Sequence, residues 1–209
     1  MKRTFLLVAC LIASYGAQAQ FVSSRSETDI VVDNVKGDND NYTRVFLGYT
    51  PTFLKFSGLD SETAHGGAIG FTYGINLTKG NSPLYLEVGL TDNLNFSKED
   101  EVLMALNVPI NITYRFKIGD SNVRIAPYVG IRPKVNVLLL DSDGDSYFNK
   151  DYYPEGPNRF QFGGQAGVNF DFNRFYLGIG YNFDFNPIWK TYYGKQKTSG
   201  VNVNIGVTF

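Results

Sequence analysis

The chain has 209 residues and a formal net charge of −1, so its length fits one folded domain and its balanced charge excludes the basic field typical of nucleic-acid-binding proteins. The single Cys and single His exclude an intramolecular disulfide and a zinc site built from several Cys or His ligands. The 17 Phe, 14 Tyr and 22 Gly disfavour a helical protein.

Residues 1–19 have the pattern of a secretory signal peptide. Lys2 and Arg3 precede an apolar run at 5–13, and small residues follow up to an Ala-x-Ala site. This combination predicts cleavage at the end of the segment. An alternative is a lipoprotein signal whose lipidated residue is Cys10, although Cys10 comes early and the apolar run continues past it.

The next segment, 20–43, is polar and acidic, which predicts a flexible periplasmic lead-in. After the signal peptide, no stretch approaches the roughly 20 consecutive apolar residues of a membrane-spanning helix. A secreted, Phe-rich chain of this kind is either a soluble β protein or a membrane β-barrel.

From Arg44 onward, apolar residues occupy every second position, which is the pattern of a strand with one apolar face. Eight such segments are predicted, at about 44–54, 66–78, 84–96, 104–116, 123–139, 160–172, 175–186 and 199–209. Short connections alternate with longer ones, as the turns and loops of outer-membrane barrels do. The pattern therefore predicts an all-β fold, an eight-stranded antiparallel up-and-down transmembrane β-barrel over 44–209, with both termini in the periplasm.

The composition of the two strand faces favours a membrane barrel over a soluble lipocalin-like barrel or sandwich. The polar face is rich in Gly, Asn, Thr and Gln, whereas a water-facing surface favours dense charge. Gly on that face suits the crowded interior of a small barrel. Aromatic residues near strand ends, such as Tyr49, Phe116 and Phe183, suit the membrane interfaces.

The signal peptide, the eight segments and the terminal strand Val201–Phe209 resemble the small OmpA/OmpX-type outer-membrane barrels. The stretches Leu106–Phe116 and Ala126–Gly130 resemble the PorT-like barrels of Bacteroidetes. The resemblance implies contact with outer-membrane lipid, and it implies that Phe209 belongs to the signal read by the barrel-insertion machinery. The leading expectation is a non-enzymatic structural or surface-interaction barrel. Because some PorT-like proteins serve protein secretion or gliding, an accessory subunit of such a complex is the alternative.

Four prolines fit the predicted strands badly. Pro51, Pro109, Pro127 and Pro133 fall inside strand segments, where each removes one ladder donor. A closed barrel has no free edge that would tolerate this loss, so bulges or breaks are expected at these positions.

The inward face of the predicted barrel carries several charged residues. They are Glu87, Arg115, Arg124, Arg132, Lys134, Asp171 and Asp184. Arg124 and Asp171 are predicted to lie at the same height on neighbouring strands. Arg132 and Asp184 are likewise predicted to lie at a common height. Eight strands leave an interior just wide enough for side chains, so we expect a salt-bridged plug rather than a charged conduit.

The only histidine, His65, is expected at the end of the first long loop, near Ser57, Asp60 and Ser61. This is the one place where a rim lipid-modifying enzyme or protease would find its catalytic residues. A lone histidine at a rim is more often a solvated polar residue, so no enzymatic activity is expected.

In the last loop, Trp189, Tyr192 and Tyr193 place three large rings near the outer surface. We expect them to be membrane-interface anchors, with binding anchors as the alternative.

The third long loop is rich in oxygen ligands. They are Asp141, Asp143, Asp145, Asn149 and Asp151. Calcium takes about six to eight oxygen ligands, and alternating carboxylates around Gly144 can supply some of them. The run departs from an EF-hand because no Glu occupies its twelfth position. An acidic, solvated loop tip is the main expectation and a weak calcium site the alternative; no other cofactor is expected.

Overall fold

The computed structural model describes residues 40–56, 61–78, 83–97, 101–118, 122–151, 156–191 and 194–209. The chain divides into two compact units, Met1–Lys36 and Gly37–Phe209, and the described residues belong to the second. The predicted signal peptide and the lead-in up to residue 39 lie outside the described residues.

The described part of the chain is built from strands. In chain order they are β1 (Tyr42–Tyr49), β2 (Thr52–Phe56), β3 (Glu62–Asn76), β4 (Leu84–Phe96), β5 (Val102–Asn107), β6 (Ile110–Tyr114), β7 (Phe116–Lys117), β8 (Val123–Leu140), β9 (Phe160–Phe172), β10 (Phe175–Asp184), β11 (Trp189–Thr191) and β12 (Gly194–Thr208). Within the described ranges, no helix is long and apolar enough to cross a membrane.

The strands form one closed antiparallel ring. Strands β1 and β2 both pair with β3 and with β12, strands β5 and β6 both pair with β4 and with β8, and the other long strands pair in chain order. The pairing of β1 with β12 closes the ring, with Val45 opposite Val207 and Leu47 opposite Ile205. Closure satisfies the backbone groups that an edge strand would leave unpaired. The predicted all-β antiparallel barrel is therefore confirmed. The first strand begins at Tyr42, so Tyr42 and Thr43, which we assigned to the lead-in, belong to the barrel.

The predicted strand count of eight is wrong: the described residues form twelve strands, because the first and fourth segments are interrupted and the seventh is followed by an additional short strand. The first is divided at Thr50–Pro51 into β1 and β2. The fourth is divided at Val108–Pro109 and again at Arg115, giving β5, β6 and β7. The seventh continues beyond 185–188 as β11. Proline lacks the N–H that a ladder needs, which accounts for the breaks at Pro51 and Pro109.

Pro127 and Pro133 behave differently, because β8 runs through both without a break. Each lies opposite an interruption in the neighbouring segment. The Pro133 carbonyl accepts a hydrogen bond from the Val108 N–H (2.9 Å) at the gap between β5 and β6. Pro127 lies where pairing stops between β6 and β7. The backbone N–H groups that these two prolines lack would therefore point toward places where the neighbouring segment is already interrupted.

The barrel has two different ends. The turn end carries the connections 77–83, 118–122 and 173–174 together with Phe209, and the loop end carries the long connection 141–159. The other loop-end connections are shorter than predicted, because β2, β3, β5, β11 and β12 extend the ladder beyond the predicted strand ends.

The side chains are arranged with apolar groups outside and polar groups inside. Leu47 and Ile205 on the outer face are 59% and 63% exposed, whereas Arg44, Glu87 and Asp171 inside are 1%, 2% and 0% exposed. Among the described residues, buried polar or charged side chains outnumber buried hydrophobic ones. This is the reverse of a water-soluble barrel.

A β-bulge builds an apolar cluster at the loop end. The register of β5 and β8 shifts between Met104 and Ala105, which leaves Val137 unpaired and turns Leu139 inward. There Leu139 packs with Leu103 and Ile188, all three buried.

Three aromatic residues complete this cluster, which we call the loop cap: Leu103, Leu139, Tyr147, Phe148, Ile188 and Trp189. The Tyr147 and Trp189 rings meet edge to face at 5.1 Å. The Asn158 N–H donates to the Ile188 carbonyl at 2.7 Å, which ties the 141–159 connection to the segment after β10. Trp189, which we expected to be a membrane anchor, is thus half-buried in the loop cap. Tyr192 and Tyr193 lie outside the described residues.

Trp189 is the only tryptophan of the chain, so its fluorescence reports on the loop cap. Truncating a buried Ile to Ala typically costs about 2–5 kcal/mol and leaves a cavity. In Ile188→Ala we expect Trp189 emission to shift to longer wavelength and its quenching by acrylamide to increase. The control is Ile118→Ala, an exposed side chain at the turn end, which should leave the spectrum unchanged. A wild-type spectrum in Ile188→Ala would contradict the packing.

Candidate functional site

A charge cluster fills the interior near the turn end. Arg44 Nη1 lies 2.5 Å from Glu87 Oε1, and Arg44 Nη2 lies 2.9 Å from Asp171 Oδ2. Arg115 Nε adds a third ion pair, 3.0 Å from the same Asp171 oxygen. The Tyr42 hydroxyl donates to Glu87. This set, Tyr42, Arg44, Glu87, Arg115 and Asp171, is the lower cluster, and its two cations balance its two carboxylates.

Aromatic rings hold the guanidinium groups of the lower cluster in place. The Arg44 and Arg115 guanidinium carbons lie 4.5 and 4.3 Å from the centroid of the Tyr42 ring. The Tyr176 ring contacts Arg44 at 4.9 Å. Such cation–π contacts strengthen when water is excluded. Gly74 makes room for the Tyr42 ring, because any Cβ at that position would overlap it.

A second group lies nearer the loop end. Arg132 Nη2 lies 2.9 Å from Asp184 Oδ1, and the Lys134 ammonium contacts the other oxygen of the same carboxylate. The Thr198 hydroxyl also donates to Asp184. We call Arg132, Lys134, Asp184 and Thr198 the upper cluster. One carboxylate here serves two cations, so its hydrogen-bonding capacity is largely used.

Between the two clusters lies a cavity of about 70 Å³. Seven asparagines are among its lining residues: Asn93, Asn107, Asn111, Asn169, Asn182, Asn202 and Asn204. A polar cavity of this size has room for a few waters. The interior is thus layered, with charge at two levels and amides between them.

The structure places most of the predicted interior residues in these clusters. Glu87 and Asp171 join the lower cluster, and Arg132, Lys134 and Asp184 form the upper one. The depth match between Arg132 and Asp184 corresponds to a direct ion pair.

The other depth match does not correspond to an ion pair in the lower cluster. Arg124 lies opposite Asp171 in the register of β8 and β9, but the Asp171 carboxylate is held by Arg44 and Arg115. Sequence reasoning missed Arg44 as a member of the interior charge network. Its position on the polar face of the first segment was the available signal.

Hydrogen bonds from backbone N–H groups to side-chain oxygens of the same loop order the acidic loop. Asp141 Oδ1 accepts the N–H groups of Asp143 (3.1 Å) and Asp145 (2.8 Å), and Asn149 Oδ1 accepts that of Asp151 (3.1 Å). The described residues bring together no three Asp, Glu, His or Cys side chains that could hold a metal ion. The calcium site stays a prediction.

His65 lies within β3 and not at the end of a loop, because β3 begins three residues earlier. Its side chain is exposed on the outer face, where Nδ1 lies 2.6 Å from the Tyr49 hydroxyl. The two rings stack with centroids 6.2 Å apart. Ser57 and Asp60, the expected neighbours of His65, lie outside the described residues.

Phe209 ends the barrel at the closing seam. Its backbone exchanges two hydrogen bonds with Thr43, at 2.8 and 3.0 Å. The Phe209 side chain is 62% exposed. Its role as an assembly signal stays a prediction.

Comparison with solved structures finds small barrels of the outer membrane. Ail, the attachment invasion locus protein of Yersinia pestis, matches with a TM-score of 0.52 at 14% identity, over 81% of this chain and 99% of Ail. OprG of Pseudomonas aeruginosa matches with a TM-score of 0.43 at 13% identity, over 82% and 96% of the two chains. The outer membrane enzyme PagL matches with 0.45 at 9% identity, over 75% and 97%.

The likeness to Ail shows a shared fold, the small OmpA/OmpX-like barrel. No protein-family model and no curated protein sequence matches the chain.

The lower cluster can be tested by removing its shared carboxylate. Asp171→Asn leaves Arg115 buried without its anion and Arg44 with Glu87 alone, and breaking a buried ion pair in this way costs about 3–5 kcal/mol. We expect the free energy of unfolding to fall by about that amount, measured by urea titration of the barrel folded into lipid vesicles. Asp143→Asn makes the same change in an exposed loop and should stay within about 0.5 kcal/mol of wild type. Equal stability of the two variants would show that the ion pairs do not hold the barrel.

Proposed function

We propose that the protein is a non-enzymatic outer-membrane β-barrel of a Gram-negative bacterium, with a structural or surface-interaction role through its extracellular loops. The observation that carries the proposal is the apolar outer face around a charged interior. In water this arrangement exposes large hydrophobic side chains, whereas a bilayer buries them. The closed ladder meets the second requirement of lipid, which is that every backbone polar group be satisfied internally.

The orientation follows from the two ends of the barrel. The predicted signal peptide directs the chain out of the cytoplasm. Outer-membrane barrels have short periplasmic turns and longer extracellular loops. The turn end, which holds Tyr42 and Phe209, is therefore proposed to face the periplasm, and the 141–159 connection to face the outside.

The contacts of the titratable side chains favour a non-enzymatic role. The interior carboxylates Glu87, Asp171 and Asp184 are all engaged in ion pairs. His65, around which a rim lipid-modifying enzyme would be built, is hydrogen-bonded to Tyr49 on the outer face. These contacts support a scaffold for the loops rather than a catalytic centre.

A PorT-like membership within Bacteroidetes is the finer proposal, and it rests on the resemblance of Leu106–Phe116 and Ala126–Gly130. In the structure these stretches adjoin in the wall, where β6 pairs with β8. An accessory role in a secretion or gliding complex is the second candidate, and the segment 141–151, which the loop cap anchors through Tyr147 and Phe148, is the surface that such a complex would meet.

Membrane embedding can be tested by a substitution that is tolerated on a water-facing surface and destabilising on a lipid-facing one. Ile205 is 63% exposed on the outer face. In a bilayer, Ile205→Arg should lower the free energy of unfolding by about 2–4 kcal/mol, the cost of Arg at a lipid-facing barrel position. Ser142→Arg, in the exposed loop, should fold like wild type in the same vesicles. If Ile205→Arg were equally neutral, the outer face would be a water-facing surface.

The ion-paired interior predicts a closed barrel. Pure folded protein added to planar bilayers should give no reproducible single-channel steps, because charged pairs and the loop cap fill the interior at three levels. Heat-unfolded protein serves as the background control. Steps of uniform size from the folded protein alone would indicate a conduit and contradict the plug.

A further inference from the structure

The outer face of β4 carries one charged residue among apolar ones. Its outward residues, counted from the turn end, are Leu84, Leu86, Val88, Leu90, Asp92, Leu94 and Phe96. Alternation directs Asp92 outward, because Thr91 and Asn93 on either side of it line the interior cavity. The cross-strand partners of Asp92 are also apolar, Ile69 on β3 and Leu106 on β5. Asp92 is therefore a carboxylate within an apolar surface.

One oxygen of the Asp92 carboxylate has no hydrogen-bond donor in the described part of the chain. This atom, Oδ1, is buried. The carboxylates of Glu87, Asp171 and Asp184, by contrast, are each held by cations in the interior. A buried oxygen without a donor costs free energy whether or not the carboxyl group is protonated. Ionisable residues at membrane depth pair with other groups, so Asp92 marks a position that a partner would satisfy.

A hollow lies beside Asp92 on the same face. Gly67 of β3 lies opposite Leu94 of β4 and opposite Tyr49 of β1. Of the described atoms outside its chain neighbours, a Cβ added at Gly67 would meet only one backbone oxygen, at 3.6 Å. The Tyr49 ring stacks on His65 instead of covering Gly67. Diagonal neighbours on one face lie about 7–8 Å apart, so a long side chain resting in this Gly67 hollow reaches Asp92.

The position of Asp92 along its strand separates it from lipid headgroups. It is the ninth of the 13 residues of β4 counted from the turn end, and a strand takes about 9–11 residues to cross the hydrocarbon layer. Above it the outward residues are Leu94 and Phe96, each about 7 Å further along the strand. An aspartate side chain is too short to extend past them. The partner of Asp92 therefore comes from within the membrane.

A second copy of the chain offers no lysine or arginine at this height. On the described strands these residues are Arg44, Arg132 and Lys134 in the interior, Lys117 and Arg124 near the turn end, and Lys55, Lys190, Lys195 and Lys197 near the loop end. All copies of a barrel are inserted with the same orientation, so residues of equal height face each other. The cation that suits Asp92 therefore belongs to a different protein.

We propose that the outer face around Asp92 and Gly67 docks a second, different membrane protein, whose lysine or arginine side chain lies in the Gly67 hollow and pairs with Asp92. This inference rests on the proposed placement of the barrel in the outer membrane. The apolar stem of such a side chain would cover Ile69 and Leu94, and its charged end would meet the carboxylate. Small residues at a contact between membrane proteins allow close approach, which is what Gly67 provides.

The test uses the full-length protein in the outer membrane of its native host, with a photoreactive benzoylphenylalanine in place of Leu90. Leu90 is the outward residue next to Asp92 and lies outside the Gly67 hollow. We expect irradiation to give one discrete product with another membrane protein, linked at a membrane-spanning segment that contains a lysine or arginine. The control places the same probe at Ile179, which is exposed on β10 across the ring from β4, and should give no such product.

Substitution of Asp92 then tests the ion pair itself. Added to the Leu90 probe variant, Asp92→Asn should lower the yield of the product about tenfold, the usual contribution of a polar contact between membrane segments. Asp143→Asn makes the same change in the exposed loop and should leave the yield unchanged. Asp92→Lys should abolish the product, and an Asp in place of the lysine or arginine identified in the partner should restore it.

Four results would overturn the proposal. They are a yield at Leu90 no higher than at Ile179, a product of twice the mass of the chain, a product with lipid alone, and an unchanged yield in Asp92→Asn. Restoration by the exchanged charges separates a direct ion pair from a merely structural effect of Asp92.

The failure of this inference is distinguishable from the failure of the proposed function. Folded barrels migrate differently from heated ones in gel electrophoresis, and each variant is checked in this way after folding into vesicles. A variant that inserts and folds but gives a product independent of Asp92 contradicts the docking face alone. A wild-type chain that does not insert into vesicles contradicts the membrane barrel itself.

Discussion

Arg44 joins strands that the backbone ladder does not bring together. It extends from β1 to Glu87 on β4 and Asp171 on β9, neither of which is a neighbour of β1 in the ring. Inside a small barrel a charge has little water to solvate it, so each cation needs an anion in contact. Because a slip of one residue would turn all these side chains to the outer face, the ion pairs and the strand register support each other.

The rest of the interior follows from the same lack of space. Above the lower cluster come the amide-lined cavity, the upper cluster around Asp184 and then the apolar loop cap around Ile188. The cations of both clusters are in contact with carboxylates, two cations with two carboxylates in the lower cluster and two cations with one carboxylate in the upper cluster, and the last level carries no charge. An interior filled in this way is suited to stability, and it leaves the loops and the outer face as the surfaces open to other molecules.

Period-two alternation in the sequence was sufficient for the fold and for the inward direction of Glu87 and Asp184. Alternation did not identify the ion-pair partners. Comparing the heights of residues on neighbouring strands cannot reveal contacts across the interior, such as that of Arg44 with Asp171. Leu139 also escaped prediction, since a bulge reverses its direction and the bulge has no local sequence signal. Proline was informative only as a mark of disrupted pairing: Pro109 breaks its own strand, whereas Pro133 lies opposite a break.

The ladder at the loop end extends further than a membrane crossing requires. Strand β12 has 15 residues, more than the hydrocarbon layer requires, so its first part projects beyond the proposed membrane. Pairing with β2 and β11 makes this projection a sheet rather than a loop. The same sheet supports Trp189 of the loop cap on its inner face, so it helps to close the barrel at the loop end.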